Sequence, residues 1–260
     1  MLNWYRAQVK EHGFLEATGL FWRVGWSRTS AGLVNKILPN KVACPCCGWR
    51  GWRFNDYFEV GYRIANSHCP QCESHSRHRE LYLWLTSEYR LAEKRGNALV
   101  FAPEKSLNGI LNQAPHLKIW KADIVNARNV DILLDLQQMA IASDSIDLIW
   151  CHHVLEHIEN DRIAISEMYR ALRPISGELV VSVPMTPTPH TNEYGSPNSR
   201  ESGHWRIYGD DFLNRLAECG FRVQPIDYHL SEADSKLFGI SPARFYVCQK
   251  PSNRHNCPPE

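Results

Sequence analysis

Residues 145–158, Ser-Ile-Asp-Leu-Ile-Trp-Cys-His-His-Val-Leu-Glu-His-Ile, constrain the fold more than any other part of the chain. Ile146, Leu148, Ile149 and Trp150 form a short apolar run of β-rich composition, as in a buried strand. The run ends abruptly in His152, His153, Glu156 and His157. In open α/β sheets the carboxyl ends of the strands are where ligands bind. Val154, Leu155 and Ile158 then recur at helical spacing, and Ile165, Met168, Tyr169 and Leu172 continue the stripe. Pro174 and Gly177 stop it. One stretch therefore predicts a parallel sheet, a crossover helix and a site between them.

Other segments repeat this pattern. Ala98–Phe101, Leu117–Trp120 and Ile132–Leu134 read as the first three strands, with Ile146–Trp150 fourth and Leu179–Val183 fifth. Phe221–Ile226 and Arg244–Val247 are candidates for the sixth and seventh. Alternating strands and helices imply a doubly wound, mostly parallel seven-stranded α/β sheet. Thr186–Trp205, rich in Pro, Asn, Ser and Gly, reads as a long loop, of the kind that serves as a lid or binding segment. A helix is expected from Asp210 to Cys219, closed by Gly220. The polar tail from Pro251 reads as flexible.

The first three strands each lead into an acidic residue: Glu104, Asp123 and Asp135. Asp123 lies 19 residues past Glu104, near the spacing at which nucleoside-binding folds grip ribose hydroxyls. A carboxylate accepts two hydroxyl hydrogens at once, and Asp135 would meet an adenine amino group by the same logic. Each could equally cap a helix. The turn Ala102-Pro103-Glu104-Lys105-Ser106-Leu107-Asn108-Gly109 lacks the glycines that a pyrophosphate needs. This argues against NAD and toward an adenosine ligand without phosphates, such as S-adenosylmethionine.

The first 80 residues differ in kind. Residues 1–40 interleave Trp4, Tyr5, Phe14, Leu15, Phe21, Trp22 and Trp26 with Arg6, Lys10, Arg23 and Arg28. They read as a helical arm packed on its own domain with its aromatics inside. A membrane-surface arm is the second reading, disfavoured by its few basic residues. Residues 41–80 hold Cys44-Pro45-Cys46-Cys47 and Cys69-Pro70-Gln71-Cys72, with 21 residues (48–68) between the pairs. Two such knuckles supply four thiolates for a structural zinc ion, with Cys44, Cys47, Cys69 and Cys72 as ligands and Cys46 as a weaker substitute for the first knuckle. The aromatic stretch Trp49–Ile64 reads as a small hairpin. Arg77, His78 and Arg79 follow, either as an anion-holding cluster or as a solvated helix start.

The formal net charge of +1 gives no support to bulk attraction for nucleic acid or membrane. No apolar run is long enough to span a bilayer and no signal peptide is legible, so a reducing, cytoplasmic location is expected.

Glu156-His157-Ile158 after the fourth strand, with Glu167-Met168-Tyr169-Arg170-Ala171-Leu172-Arg173-Pro174 before the fifth, resembles the corresponding motifs of class I S-adenosylmethionine-dependent methyltransferases, type 11 in particular. The likeness covers roughly residues 97–248. The segment ending Cys69-Pro70-Gln71-Cys72-Glu73-Ser74-His75-Ser76-Arg77-His78-Arg79 resembles a zinc-ribbon extension of a bacterial subgroup, whose first strand also ends in an Ala-Pro-Glu-like turn. The resemblance implies an arm (1–40), a ribbon (41–80), a methyltransferase domain (81–250) and a tail (251–260). It implies a cofactor pocket of Ala102, Pro103, Glu104, Asp123, Asp135 and His152, with Ile124 and Leu136 beside the two aspartates.

Methyl transfer to a hydroxyl or amine needs an aligned acceptor and a base. Histidine suits the second task at neutral pH. His153 is the first candidate, followed by His152 and His204. Glu156 and His157 read as helix bracing. Arg77, His78, Arg206 and Tyr208 are candidates for the acceptor side. The expected acceptor is a small molecule or saccharide. An RNA-modifying enzyme and a non-catalytic binding protein are the alternatives.

Overall fold

A computed structural model describes residues 2–59, 62–126 and 129–252. Most of the expected tail, from residue 253 onward, lies outside the described residues. The chain forms two compact units, one of residues 1–90, 105–110 and 228–243, the other of residues 91–104, 111–227 and 244–260.

The second unit holds the main sheet: β1 (Gly96–Phe101), β2 (Leu117–Asp123), β3 (Ile132–Leu133), β4 (Leu148–His152), β5 (Glu178–Ser182), β6 (Arg222–Ile226) and β7 (Phe245–Gln249). Their order is β6-β7-β5-β4-β1-β2-β3. β1 runs parallel to β2 and β4, and β4 parallel to β5. β7 is antiparallel to both of its neighbours. Every residue of β4 is buried, which explains its continuous apolar run, since parallel strands are covered on both faces. The strand order reverses between β1 and β4, and this switch point opens a crevice at their carboxyl ends.

The helix after β4 starts later than its apolar stripe suggests. A single 3-10 turn, Leu155–His157, comes first, and the α-helix spans Asp161–Ala171. Two side chains set this boundary. Asn160 Oδ1 accepts the Ile163 amide hydrogen as an N-cap. The Arg206 guanidinium donates to the carbonyls of Leu155, Ile158 and Glu159, which competes with a continuous helix for those acceptors. Within the helix, Ile165, Met168 and Tyr169 face the core as expected, and Ala164 joins them.

The expected loop 186–205 is instead partly a β-ribbon. Asn192–Asn198 pairs antiparallel with His204–Ile207, with Glu193 opposite Arg206 and a bulge before Asn198. Most of its first strand faces solvent, so no apolar alternation marks it. Its composition alone reads as loop.

In the first unit, helices Leu2–His12 and Phe14–Ile37 pack through Tyr5 and Phe21, ring centroids 5.4 Å apart. The second helix ties to the β-hairpin Asn55–Glu59/Tyr62–His68 through Ser27 on Asp56 and Asn35 on the backbone of Arg53. The expectation that the arm's aromatics lie inside is corrected for Phe14, which is 65% exposed, and for Trp22 and Trp26, which are 70% and 77% exposed. Leu15, Leu33 and Ile37 join the two tryptophans at spacings of four and seven on one helical face. Among the described residues no helix is long and apolar enough to cross a membrane. A short helix, Glu232–Phe238, also belongs to this unit. It is capped by Ser231 and ends at Gly239 in the left-handed conformation.

Candidate active site and metal centre

A cavity of about 470 Å3 sits at the carboxyl edge of the main sheet, within the usual size range for small-ligand sites. Ala102 lines it after β1, Asp123 and Ile124 after β2, and Asp135 and Leu136 after β3. His153, Val154, His157, Ile158 and Glu159 line it beyond β4, and Trp205 from the ribbon joins them. Ala102 and His153 both adopt left-handed backbone conformations, with φ of 44° and 53°. Non-glycine residues in that region cost energy and cluster at ligand sites. Ala102 thus takes, with a methyl group, a turn that usually favours glycine.

The two aspartates divide their oxygens. Asp123 Oδ1 accepts the Val125 amide at 3.1 Å, and Asp135 Oδ1 accepts the Gln137 amide at 2.8 Å. These Asx turns shape the loops. The second oxygen of each carries no hydrogen bond among the described residues, so each retains acceptor capacity beside the cavity.

Pro103, Glu104 and His152 stand outside the lining. The Pro103 carbonyl accepts from the Asn129 side chain. His152 is buried, with Nδ1 bonded to the Ser182 hydroxyl and Nε2 3.6 Å from Glu104. His153 Nδ1 lies 3.1 Å from Glu156 Oε1. His157, expected as bracing, is exposed and lines the cavity. His204 packs edge-on against it, ring centroids 4.7 Å apart.

The acceptor-side expectation for Arg206 and Tyr208 is corrected. Arg206 is buried, and besides the three carbonyls it pairs with Glu193 at 2.8 Å. Tyr208 is fully buried and donates to Asp161 at 2.8 Å. Burial first, then the Asp161 charge, push its hydroxyl pKa well above the ordinary value. Both residues fasten the ribbon to the loop beyond β4. Sequence gave no sign of this, because a buried arginine and a surface one look alike.

His78 is also corrected, since it is buried and caps its own helix, Ser76–Ser87, accepting the His75 amide on Nδ1 at 3.0 Å. Burial, then the positive charge of Arg77, push His75 down to about 2. Arg77 lies part-buried in the first turn of that helix. Arg79 is fully buried and donates to the carbonyls of Ser67, Ser74, Phe238 and Gly239.

Cys44, Cys47, Cys69 and Cys72 converge, with one sulfur from each within 4.8 Å of the others. The Cys44–Cys72 and Cys47–Cys69 sulfur separations are 3.6 and 3.7 Å. A tetrahedral zinc ion with bonds of about 2.3 Å sets its sulfurs about 3.8 Å apart, so the four residues fit one. Hydrogen bonds from the thiols of Cys46, Cys69 and Cys72 pull Cys44 far below its ordinary pKa, and the bond to Cys44 pushes Cys69 far above. The sulfur of Cys46 is directed instead at the His78 carbonyl, 3.9 Å away.

Fold and cavity together define an α/β protein with a cavity of small-ligand size at its switch point. Residues 106–181 match the family model described as "Methyltransferase domain", so this segment carries a methyltransferase domain. No curated protein matches the chain significantly. Among solved structures, the chain is similar to an S-adenosylmethionine-dependent methyltransferase from Archaeoglobus fulgidus (13% identity, 66% of this chain and 94% of that one, TM-score 0.47). It is also similar to an S-adenosylmethionine-dependent methyltransferase from Listeria monocytogenes (14% identity, 65% and 98%, TM-score 0.45). A third is from a complex of the Haloferax volcanii Trm112 activator with a methyltransferase (13% identity, 68% and 93%, TM-score 0.44). Likenesses this distant carry neither an acceptor nor a partner across.

Proposed function

We propose that the chain is an S-adenosylmethionine-dependent methyltransferase acting on a hydroxyl or amine of a small-molecule or saccharide-type acceptor, with a structural zinc ion in the first unit. The observation that carries this reading is the pairing of Asp123 and Asp135 across one cavity, each with an oxygen to spare, inside a segment that matches a methyltransferase domain. When bound, the cofactor supplies an electrophilic methyl group on a sulfonium. Asp123 would hold the ribose hydroxyls and Asp135 the adenine amino group, with Ile124 and Leu136 giving apolar walls.

His153 is the proposed base. Its Nδ1 lies beside Glu156, which leaves Nε2 as the proposed basic atom. The acceptor's lone pair would form the new bond to the methyl carbon as the carbon–sulfur bond breaks, and His153 Nε2 would take the acceptor proton. His152 serves as packing behind it in this reading. The ribbon (41–80) and arm (1–40) would accompany a catalytic domain over 81–250. Eight described cysteines without a disulfide suit a reducing, cytoplasmic compartment.

The test is a labelled-methyl assay with a cell extract as acceptor source. Label in the small polar fraction, lost in His153→Ala, supports the proposal. Label in RNA transfers the reading to nucleic acid, and no label in either fraction counts against catalysis.

A further inference from the structure

We propose a second metal site, in which Glu156, His157 and His204 bind a divalent first-row transition-metal ion at the rim of the cavity. Each offers one donor atom, and the three donors lie within 4.8 Å of one another. Bonds of about 2.0–2.2 Å from zinc to nitrogen and oxygen bring ligand atoms to between about 3 and 4 Å apart, so binding needs only a small inward movement.

The strongest sign is Glu156. Its side chain is 1% exposed, and neither carboxylate oxygen accepts a hydrogen bond. Its near polar neighbour is His153 Nδ1. A buried carboxylate left this way is costly, and a coordinated cation removes the cost. His153 then acts as a positioning residue that orients the carboxylate from behind.

The backbone around the three donors is fastened as a ligand set requires. His204 begins the ribbon strand His204–Ile207. Arg206, two residues on, grips the carbonyls of Leu155, Ile158 and Glu159, which flank Glu156 and His157. One guanidinium thus locks the strand carrying one ligand to the loop carrying the other two. The histidine rings already touch.

Two imidazoles and one carboxylate favour a borderline ion such as zinc, cobalt(II) or iron(II) over magnesium or calcium. Three protein ligands leave coordination positions open, unlike the closed four-thiolate centre. His157 lines the cavity, so an oxygen donor of a molecule bound there, a hydroxyl or a carboxylate, is the class of ligand that would complete the shell. The site stands whether or not the cavity takes S-adenosylmethionine.

Cobalt(II) titration of the full chain, with zinc already in the thiolate centre, tests it. The expected result is one cobalt ion per chain with visible d–d absorption and no thiolate charge-transfer band. Affinity should fall about 10- to 100-fold in Glu156→Gln and His204→Ala, with zinc content unchanged. His157→Ala, at an exposed position, gives the same readout if the variant at buried Glu156 fails to fold. No cobalt outside the thiolate centre, or equal affinity in His157→Ala, would overturn the proposal.

Discussion

Arg79 Nε donates to the carbonyl oxygen of Phe238 at 2.6 Å, joining residues 159 positions apart through one side chain. The same guanidinium reaches Gly239 at 2.7 Å and both Ser67 and Ser74 at 2.8 Å, and stacks over the Phe54 ring at 4.0 Å. It also lies close enough to Cys44, Cys46, Cys69 and Cys72 for their charge to act on it. Arg79 therefore closes the first unit and offsets negative charge beside the thiolates.

Arg79→Lys keeps the charge but loses the planar fork, and leaves buried carbonyls unsatisfied. The expected loss of stability is about 2–4 kcal/mol in urea unfolding of the full chain. A loss below about 0.5 kcal/mol, the scale of ordinary surface changes, would show that the four bonds are not made in solution.

Glu80 gives a pH signature. It is buried and accepts the Ala243 amide at 2.7 Å, and burial pushes its carboxyl up to about 7 despite that bond. Its folded pKa is above its unfolded one, so the folded state binds the extra proton. The contribution is fully present below about pH 4.5 and is lost as pH rises through about 7. Glu80→Gln should match the wild type near pH 4.5 and exceed it in stability at pH 8, by about 1–3 kcal/mol. Parallel stability–pH curves for the two proteins would refute the assignment.

The contrast between these buried charges and their sequence context explains what could be read in advance. The strands of the parallel sheet were legible because burial on both faces demands continuous apolar runs, and β1, β4 and β5 have them. The Cys-x-x-Cys pairs were legible because that spacing brings sulfurs together, as Cys44, Cys47, Cys69 and Cys72 do. Arg79, His78 and Arg206 were not, since nothing in a local pattern separates a cation bonded to backbone carbonyls from one in water. The ribbon Asn192–Asn198/His204–Ile207 was hidden by its exposed first strand. The helix Glu232–Phe238 buries no residue, so it has no apolar stripe, though Ser231 and Gly239 marked its ends. At the cavity, Asp123 and Asp135 were found from their spacing, while Glu104 falls outside the lining and Trp205 came in only through the ribbon's pairing.

Cys69→Ser should lower zinc from about one ion per chain at the thiolate centre and destabilise the first unit, as loss of a structural zinc ligand does. Elemental analysis after dialysis, with proteolysis to locate the loosened segment, checks this. Retained zinc with unchanged protease resistance would contradict the four-thiolate assignment. Cys46→Ser, which keeps the four converging cysteines, should leave zinc in place.

The proposed methyl transfer requires that the cavity beside Asp123 and Asp135 hold an adenosine cofactor. Isothermal titration of the full chain with S-adenosylmethionine tests it most directly, run beside Asp123→Ala. Saturable binding at sub-millimolar concentration is expected in the wild type. In the variant the affinity should be about 10- to 100-fold weaker, the loss expected for a charged hydrogen bond to ribose, with zinc content and unfolding midpoint unchanged. No binding to the wild type, or equal affinity in the two proteins, would contradict it.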